Sequence, residues 1–266
     1  MTTLHPWNWG IETPSTTKHN TKQCREFNMP DLDYLFIPIR DELLDRMCLG
    51  DDAVIDCLYA GPCGPESLPD CVINFSSVAV MDLPGPDRFF SELPAASLDC
   101  LVVNGIFHWL GLSEQLPNAL RSLKPGGRLL FSTFGPDTLT LARQAWQAVD
   151  DLPHIHDFVD MHHLGDALVG SGFQRPIVDA EWLTIGFPGA RALMSDLRGA
   201  GVTNSHPDRR RTLTGKGRIR RFISEFDAKK VDGDVCERVE IIYGVATKPD
   251  AVTAASPIPV QVNPSV

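Results

Sequence analysis

The sequence predicts an α/β protein, a doubly wound and mostly parallel sheet, on three observations. Residues 98–104 hold a continuous apolar run, Cys100–Val103, bounded by the polar Asp99 and Asn104, as strands buried on both faces do. Residues 121–134 join a helix end to a second apolar run through Lys124, Pro125, Gly126 and Gly127. Beyond them, helical and strand-like segments alternate as far as residue 247, the order that builds a parallel sheet with helices on its faces.

Each element has its own local reason. Ile39, Leu43, Leu44 and Met47 recur at helical spacing, so residues 39–48 are expected to form a helix that Gly50 stops. Residues 53–56 read as a short buried strand. Ser113 can cap a helix reaching Leu123, with Pro117 tolerable near its first turn. The Lys-Pro-Gly-Gly segment ends that helix, because proline cannot continue it and glycine permits positive φ. Residues 128–134 are then the next strand, and Gly135 opens a helix with Ala142, Ala145, Trp146 and Val149 on one stripe. A helix at 160–171, a strand at 176–187, helices at 189–200 and 215–228 and a closing strand at 237–247 complete the body. Residues 1–30 are a polar arm without sustained period, 31–248 one domain, and the Pro- and Ala-rich 249–266 a disordered tail.

A hydrophobic fraction of 43% and a charged fraction of 22% are those of a soluble globular chain. No apolar run approaches the roughly 18 residues of a membrane span, and the N-terminus lacks the charged and apolar regions of a secretory signal. A cytoplasmic location without membrane partners is the resulting expectation. Seven cysteines, at 24, 48, 57, 63, 71, 100 and 236, form no C-x-x-C pair and read as reduced thiols. His154, His156, His162 and His163 have no cysteine pair or second motif beside them, so no metal is expected.

Charge is distributed unevenly. Residues 209–221 carry seven basic side chains and no acid, so the rest of the chain sums to −17 against a total of −10. Such an island points to a local anionic partner and away from general nucleic-acid binding, with a solvated helix face as the plain alternative.

Several segments in order resemble the class I S-adenosylmethionine-dependent methyltransferases, and among them the malonyl-acyl-carrier-protein O-methyltransferases of biotin synthesis. The carrying stretches are 92–104, His108-Trp109, Leu123-Lys-Pro-Gly-Gly127, 131–139, 160–169 with Gly172-Phe173, Asp196-Leu-Arg-Gly-Ala-Gly201 and Leu213-Thr-Gly215. The likeness is good over 92–247 and poor over 39–91. A related family of respiratory-complex assembly factors shares the general plan. The resemblance implies a seven-stranded sheet whose last strand is antiparallel, with the segment between strands six and seven, about 188–235, forming a helical lid. It also implies S-adenosyl-L-methionine as cofactor and acyl-carrier protein, or another acidic protein, as partner.

By that resemblance the cofactor lies at the carboxyl ends of the first strands, held by a glycine loop. Leu58 stands where its first glycine is due; Gly61 and Gly64 read as a displaced remnant, stiffened by Pro62 and Pro65. Asp82, eighteen residues after Gly64, matches the acid that holds the ribose hydroxyls, or is a turn residue before Pro84. Only nine residues separate Asp82 from Glu92, too few for the helix and strand the family places there, so one βα unit is expected to be missing, with Phe89 and Phe90 as its stub. Asn104 ends a strand beside the expected transfer point and is a candidate cofactor contact there, where cofactor and acyl group meet. His108 and Trp109 either line the substrate or serve as a loop residue and a packing residue, and Arg198 is either a carboxylate contact or a surface arginine. Arg209, Arg210, Arg211, Lys216 and Arg218 are the candidate partner contacts. The function implied is O-methylation of the free carboxylate of a malonyl thioester on acyl-carrier protein. The alternative is an inactive relative that binds an acidic partner without cofactor.

Overall fold

The computed structural model describes residues 33–47, 54–61, 72–78, 89–107, 112–199, 204, 206 and 208–250. Its elements are α1 (Asp33–Met47), β1 (Val54–Ala60), β2 (Val72–Val78), α2 (Phe89–Glu92), β3 (Leu98–Val103), α3 (Leu112–Ser122) and β4 (Leu123–Phe134). They continue with α4 (Thr140–Gln147), α5 (Met161–Gly170), β5 (Gln174–Phe187), α6 (Ala190–Gly199), α7 (Lys216–Asp227) and β6 (Val235–Thr247). The described strands form one sheet in the order β2-β1-β3-β4-β6-β5. β6 runs antiparallel to both its neighbours and the pairs from β2 to β4 are parallel. This is the doubly wound, mostly parallel architecture the sequence predicts.

Three expectations are corrected in the first half of the chain. The first strand does not stop at Asp56: Leu58, Tyr59 and Ala60 continue it, opposite Leu101, Val102 and Val103 of β3. Bulky residues at positions where glycines would break the ladder keep the chain extended, so the expected loop from Cys57 is strand. The first helix begins at Asp33 and carries Pro38 inside it. A helical proline forfeits one ladder bond, and burial of Leu35 and Phe36, at 5% and 0% exposure, offsets that loss. Phe89 and Phe90 belong to a short helix, not to a strand stub. Phe90 is buried, and Arg121 at the end of α3 donates to the carbonyls of Phe90, Ser91 and Leu93.

Lys124, Pro125, Gly126 and Gly127 form the entry of β4 itself. The Lys124 Nζ bridges Asp56 Oδ2 at 2.6 Å and Asp99 Oδ2 at 2.8 Å, tying the starts of β1, β3 and β4 together. The Asp56 bond, then the Asp99 bond, push the ammonium group above its usual pKa. A Cβ at Gly127 would press on carbonyls of Leu98 and Asp99, and Gly126 has φ +75°. Close strand entry explains this segment at the edge opposite the carboxyl ends.

Two apolar cores lie on the sheet. The larger surrounds β1, β3, β4 and α1, with Phe107 stacked on Phe131 at 4.1 Å. The smaller joins α4 to the helical pair α6 and α7 through Ala142, Ala145, Leu193, Phe222 and Phe226.

Candidate functional site

Open α/β sheets bind ligands at the carboxyl ends of their strands, and here those ends are β1 at Ala60–Gly61, β3 at Asn104 and β4 at Phe134. Asn104 is wholly buried. Its Nδ2 donates to Tyr59 Oη at 2.8 Å and to the Phe36 carbonyl at 3.3 Å, and its Oδ1 accepts from Ser132 Oγ at 2.9 Å. Ser132 Oγ in turn accepts from the Gly105 amide at 2.8 Å. One side chain therefore ties the tips of β1, β3 and β4 to α1.

The glycines of this crest are required by the protein's own packing. At Gly61, φ +153°, a Cβ would stand 2.5 Å from the Asn104 carbonyl oxygen; at Gly105, φ +69°, it would strike the Phe36 ring. Phe36 also meets Phe134 edge-on, centroids 6.1 Å apart. The Asn104 amide is engaged inward with Tyr59 and Phe36. Among the buried side-chain atoms without a hydrogen-bond partner are Thr133 Oγ1, next to the end of β4, and Asp196 Oδ2 on α6. Gly64, Asp82, His108 and Trp109 lie outside the described residues.

The turn after β4 is held by acids that sequence reasoning missed. Glu240 Oε2 accepts from the Asp137 amide at 2.8 Å, and Gly135 has no room for a Cβ beside that carboxylate. Glu237, wholly buried, accepts from the amides of Ala142 at 2.5 Å and Leu141 at 3.3 Å. It does for α4 what an N-cap residue normally does, since Leu139 at that position makes no side-chain cap. Burial raises the Glu237 carboxyl above its usual range against the pull of these amides. Two glutamates within a buried strand are the signal that was available.

Arg198 ends α6 exposed, whereas Asp196 beside it is 5% exposed. Spacing shows why: Asp196 follows Leu193 by one helical turn and shares its inward face. Burial pushes the Asp196 carboxyl up to about 6, and its charge adds to the burial that raises the Tyr34 phenol on α1. Between pH 3.8, the ordinary value, and about 6, the folded form keeps a proton that the unfolded chain releases. Stability therefore falls as pH rises through that window. Asp196→Asn is expected to gain about 2 kcal/mol at pH 7 and flatten the slope, measured by urea unfolding at pH 4 and pH 7.

The basic island is divided. Asp150 accepts from His154 Nε2 at 2.8 Å and Arg210 Nη2 at 3.1 Å, with Arg218 Nε at 3.3 Å. Burial alone would raise the Asp150 carboxyl, but His154, the Leu152 amide and Arg210 hold it below its usual value. Arg209 donates to the His206 carbonyl at 3.0 Å. The His154 ring lies on Trp146 at 3.8 Å, and Trp146 on Phe222 at 4.2 Å. Arg211 and Lys216 are exposed. Of the five candidate partner contacts, Arg209, Arg210 and Arg218 are thus engaged within the protein. Among the described residues, no group of three or more His, Cys, Asp and Glu is arranged to hold a metal ion, and no helix is long and apolar enough to cross a membrane.

No family model matches the chain. A malonyl-acyl-carrier protein O-methyltransferase of Nitrosospira multiformis is 42% identical over 149 residues, covering 53% of this chain and 48% of that protein. One of Gallionella capsiferriformans is 38% identical over 158 residues, covering 59% of this chain and 54% of that one. The chain thus spans about half the length of the curated relatives it matches. Among solved structures, a methyltransferase-like protein of Bacillus halodurans superposes with a TM-score of 0.52 at 15% identity, covering 77% of this chain and 97% of that one. That likeness is one of fold.

Proposed function

We propose that this chain, a relative of the malonyl-acyl-carrier protein O-methyltransferases on a class I methyltransferase fold, methylates the free carboxylate of a malonyl thioester carried by acyl-carrier protein. The observation that carries this reading is the 42% identity over 149 residues. S-adenosyl-L-methionine would supply an electrophilic methyl group, with Gly61, Gly64 and Asp82 as its contacts. Asn104 acts by positioning the strand tips that face it.

The chemistry asks for no general base. A substrate carboxylate with pKa ~4 is already ionised at neutral pH, so the protein's part is to align and desolvate it. His108, Trp109 and Arg198 are the proposed substrate contacts, and a cationic donor such as Arg198 suits a carboxylate because it pairs with both oxygens. The basic island suits an acidic carrier.

A second reading has one observation in its favour. The Asn104 amide donates inward to the Phe36 carbonyl and the Tyr59 hydroxyl at the strand tips, which suits a relative that binds an acidic partner without cofactor. Incubation with methyl-labelled S-adenosylmethionine and malonyl-acyl-carrier protein separates the two. Label appearing as a base-labile ester on the carrier supports the enzyme. Carrier bound without label transfer favours the second reading.

A further inference from the structure

The division of the basic island assigns its residues two different tasks. Asp150, 15% exposed, gathers His154, Arg210 and Arg218 around one carboxylate, and the His154–Trp146–Phe222 stack fixes that group to α4 and α7. Arg210 is thereby turned toward the protein, while Arg218, its side chain 46% exposed, reaches Asp150 from the surface. Arg211, Lys216, Arg220 and Arg221 remain exposed and form no ion pair among the described residues. Between Arg211 and Lys216 stands Leu213, 97% exposed, directly before α7.

An almost fully exposed leucine among unpaired cations is poorly suited to water and well suited to a partner. We propose that Leu213 is the apolar anchor of a docking surface ringed by Arg211, Lys216, Arg220 and Arg221, and that Asp150 is the positioning residue holding this surface in shape. The occupant is an acidic protein with an apolar recess among its carboxylates. Charge complementarity carries that choice: the island is wholly basic within a chain of net charge −10. The inference rests on the reading that an acidic carrier is the partner, and adds which residues meet it.

The two tasks predict opposite signs at Asp150. If the whole island acted only through its charge, Asp150→Asn would remove a negative group and tighten binding to an acidic partner. As a positioning residue, its loss frees Arg210 and Arg218, loosens the loop and weakens binding.

Binding of fluorescently labelled acyl-carrier protein to the full chain tests this by anisotropy at two salt concentrations. Expected are a roughly tenfold weaker Kd for Leu213→Ala and a several-fold weaker Kd with a shallower salt dependence for Arg211→Ala and Lys216→Ala. For Asp150→Asn, a weaker Kd with an unchanged melting temperature of the body is expected. Wild-type protein that does not bind carrier overturns the partner reading and this surface with it. Wild-type binding that Leu213→Ala leaves unchanged overturns the anchor alone. Tighter binding by Asp150→Asn overturns its positioning role. Equal binding to anionic lipid vesicles or to RNA also overturns the surface, because bare charge would then suffice. Leu213 and Arg211 are exposed, so their variants remain informative if Asp150→Asn fails to fold.

Discussion

Gly244→Val lowers stability by about 3 kcal/mol or abolishes folding, measured by urea unfolding. Gly244 lies within β6, opposite Phe131 of β4 and Val178 of β5. A Cβ there would overlap the Phe131 ring, which is itself stacked on Phe107. Phe131 and Phe107 are both fully enclosed, so neither ring has a direction in which to move. The strain therefore passes to the residues that follow Asn104. Gly165→Ala is the control. It lies in α5 with nothing within 4 Å of a new Cβ, and alanine there should stabilise by about 0.5–1 kcal/mol by narrowing the unfolded ensemble.

Asn104→Leu is the second large effect, a loss of about 3 kcal/mol. Leucine matches the amide in size but leaves Tyr59 Oη, Ser132 Oγ and the Phe36 carbonyl without the bonds Asn104 makes. Each is buried, and a buried polar group that loses a bond costs about 1–3 kcal/mol. Tyr59→Phe removes one of the groups that Asn104 serves. The double variant Asn104→Leu with Tyr59→Phe should consequently be less destabilised than the sum of the single variants. Strict additivity in the unfolding free energies would contradict the network.

The second half of the fold was legible in the sequence because local signals agree there. The apolar run at 100–103 reads as a buried strand, and Asp160 caps α5 by accepting from the His162 amide. The helices at α6 and α7 begin and end within about two residues of their expected limits. The first half was not legible to the same degree. Leu58 was visible as a replacement in a glycine loop, but the extension of β1 through Leu58 and Tyr59 depends on pairing with Leu101 and Val102, far along the chain. The start of α1 was hidden by Pro38, whose local cost is overcome only by the burial of Leu35 and Phe36.

The candidate site divides in the same way. A cluster of arginines is conspicuous in sequence, yet which of them face outward is decided by Asp150, sixty residues from Arg210. Asn104 was visible as a strand-ending polar residue, but its bonds to Tyr59 and Phe36 come from two other elements. Asp196 had a signal that went unused, its place one turn after Leu193 on the inward stripe of α6.

Calorimetric titration of the folded, full chain with S-adenosylmethionine and with S-adenosylhomocysteine tests the methyltransferase reading most directly. The account predicts one-site binding in the micromolar range, strongly weakened by Asp82→Ala and little changed by Arg210→Ala. No detectable binding of either compound by protein that unfolds cooperatively would contradict it, leaving a relative that keeps the fold and its basic surface without the cofactor.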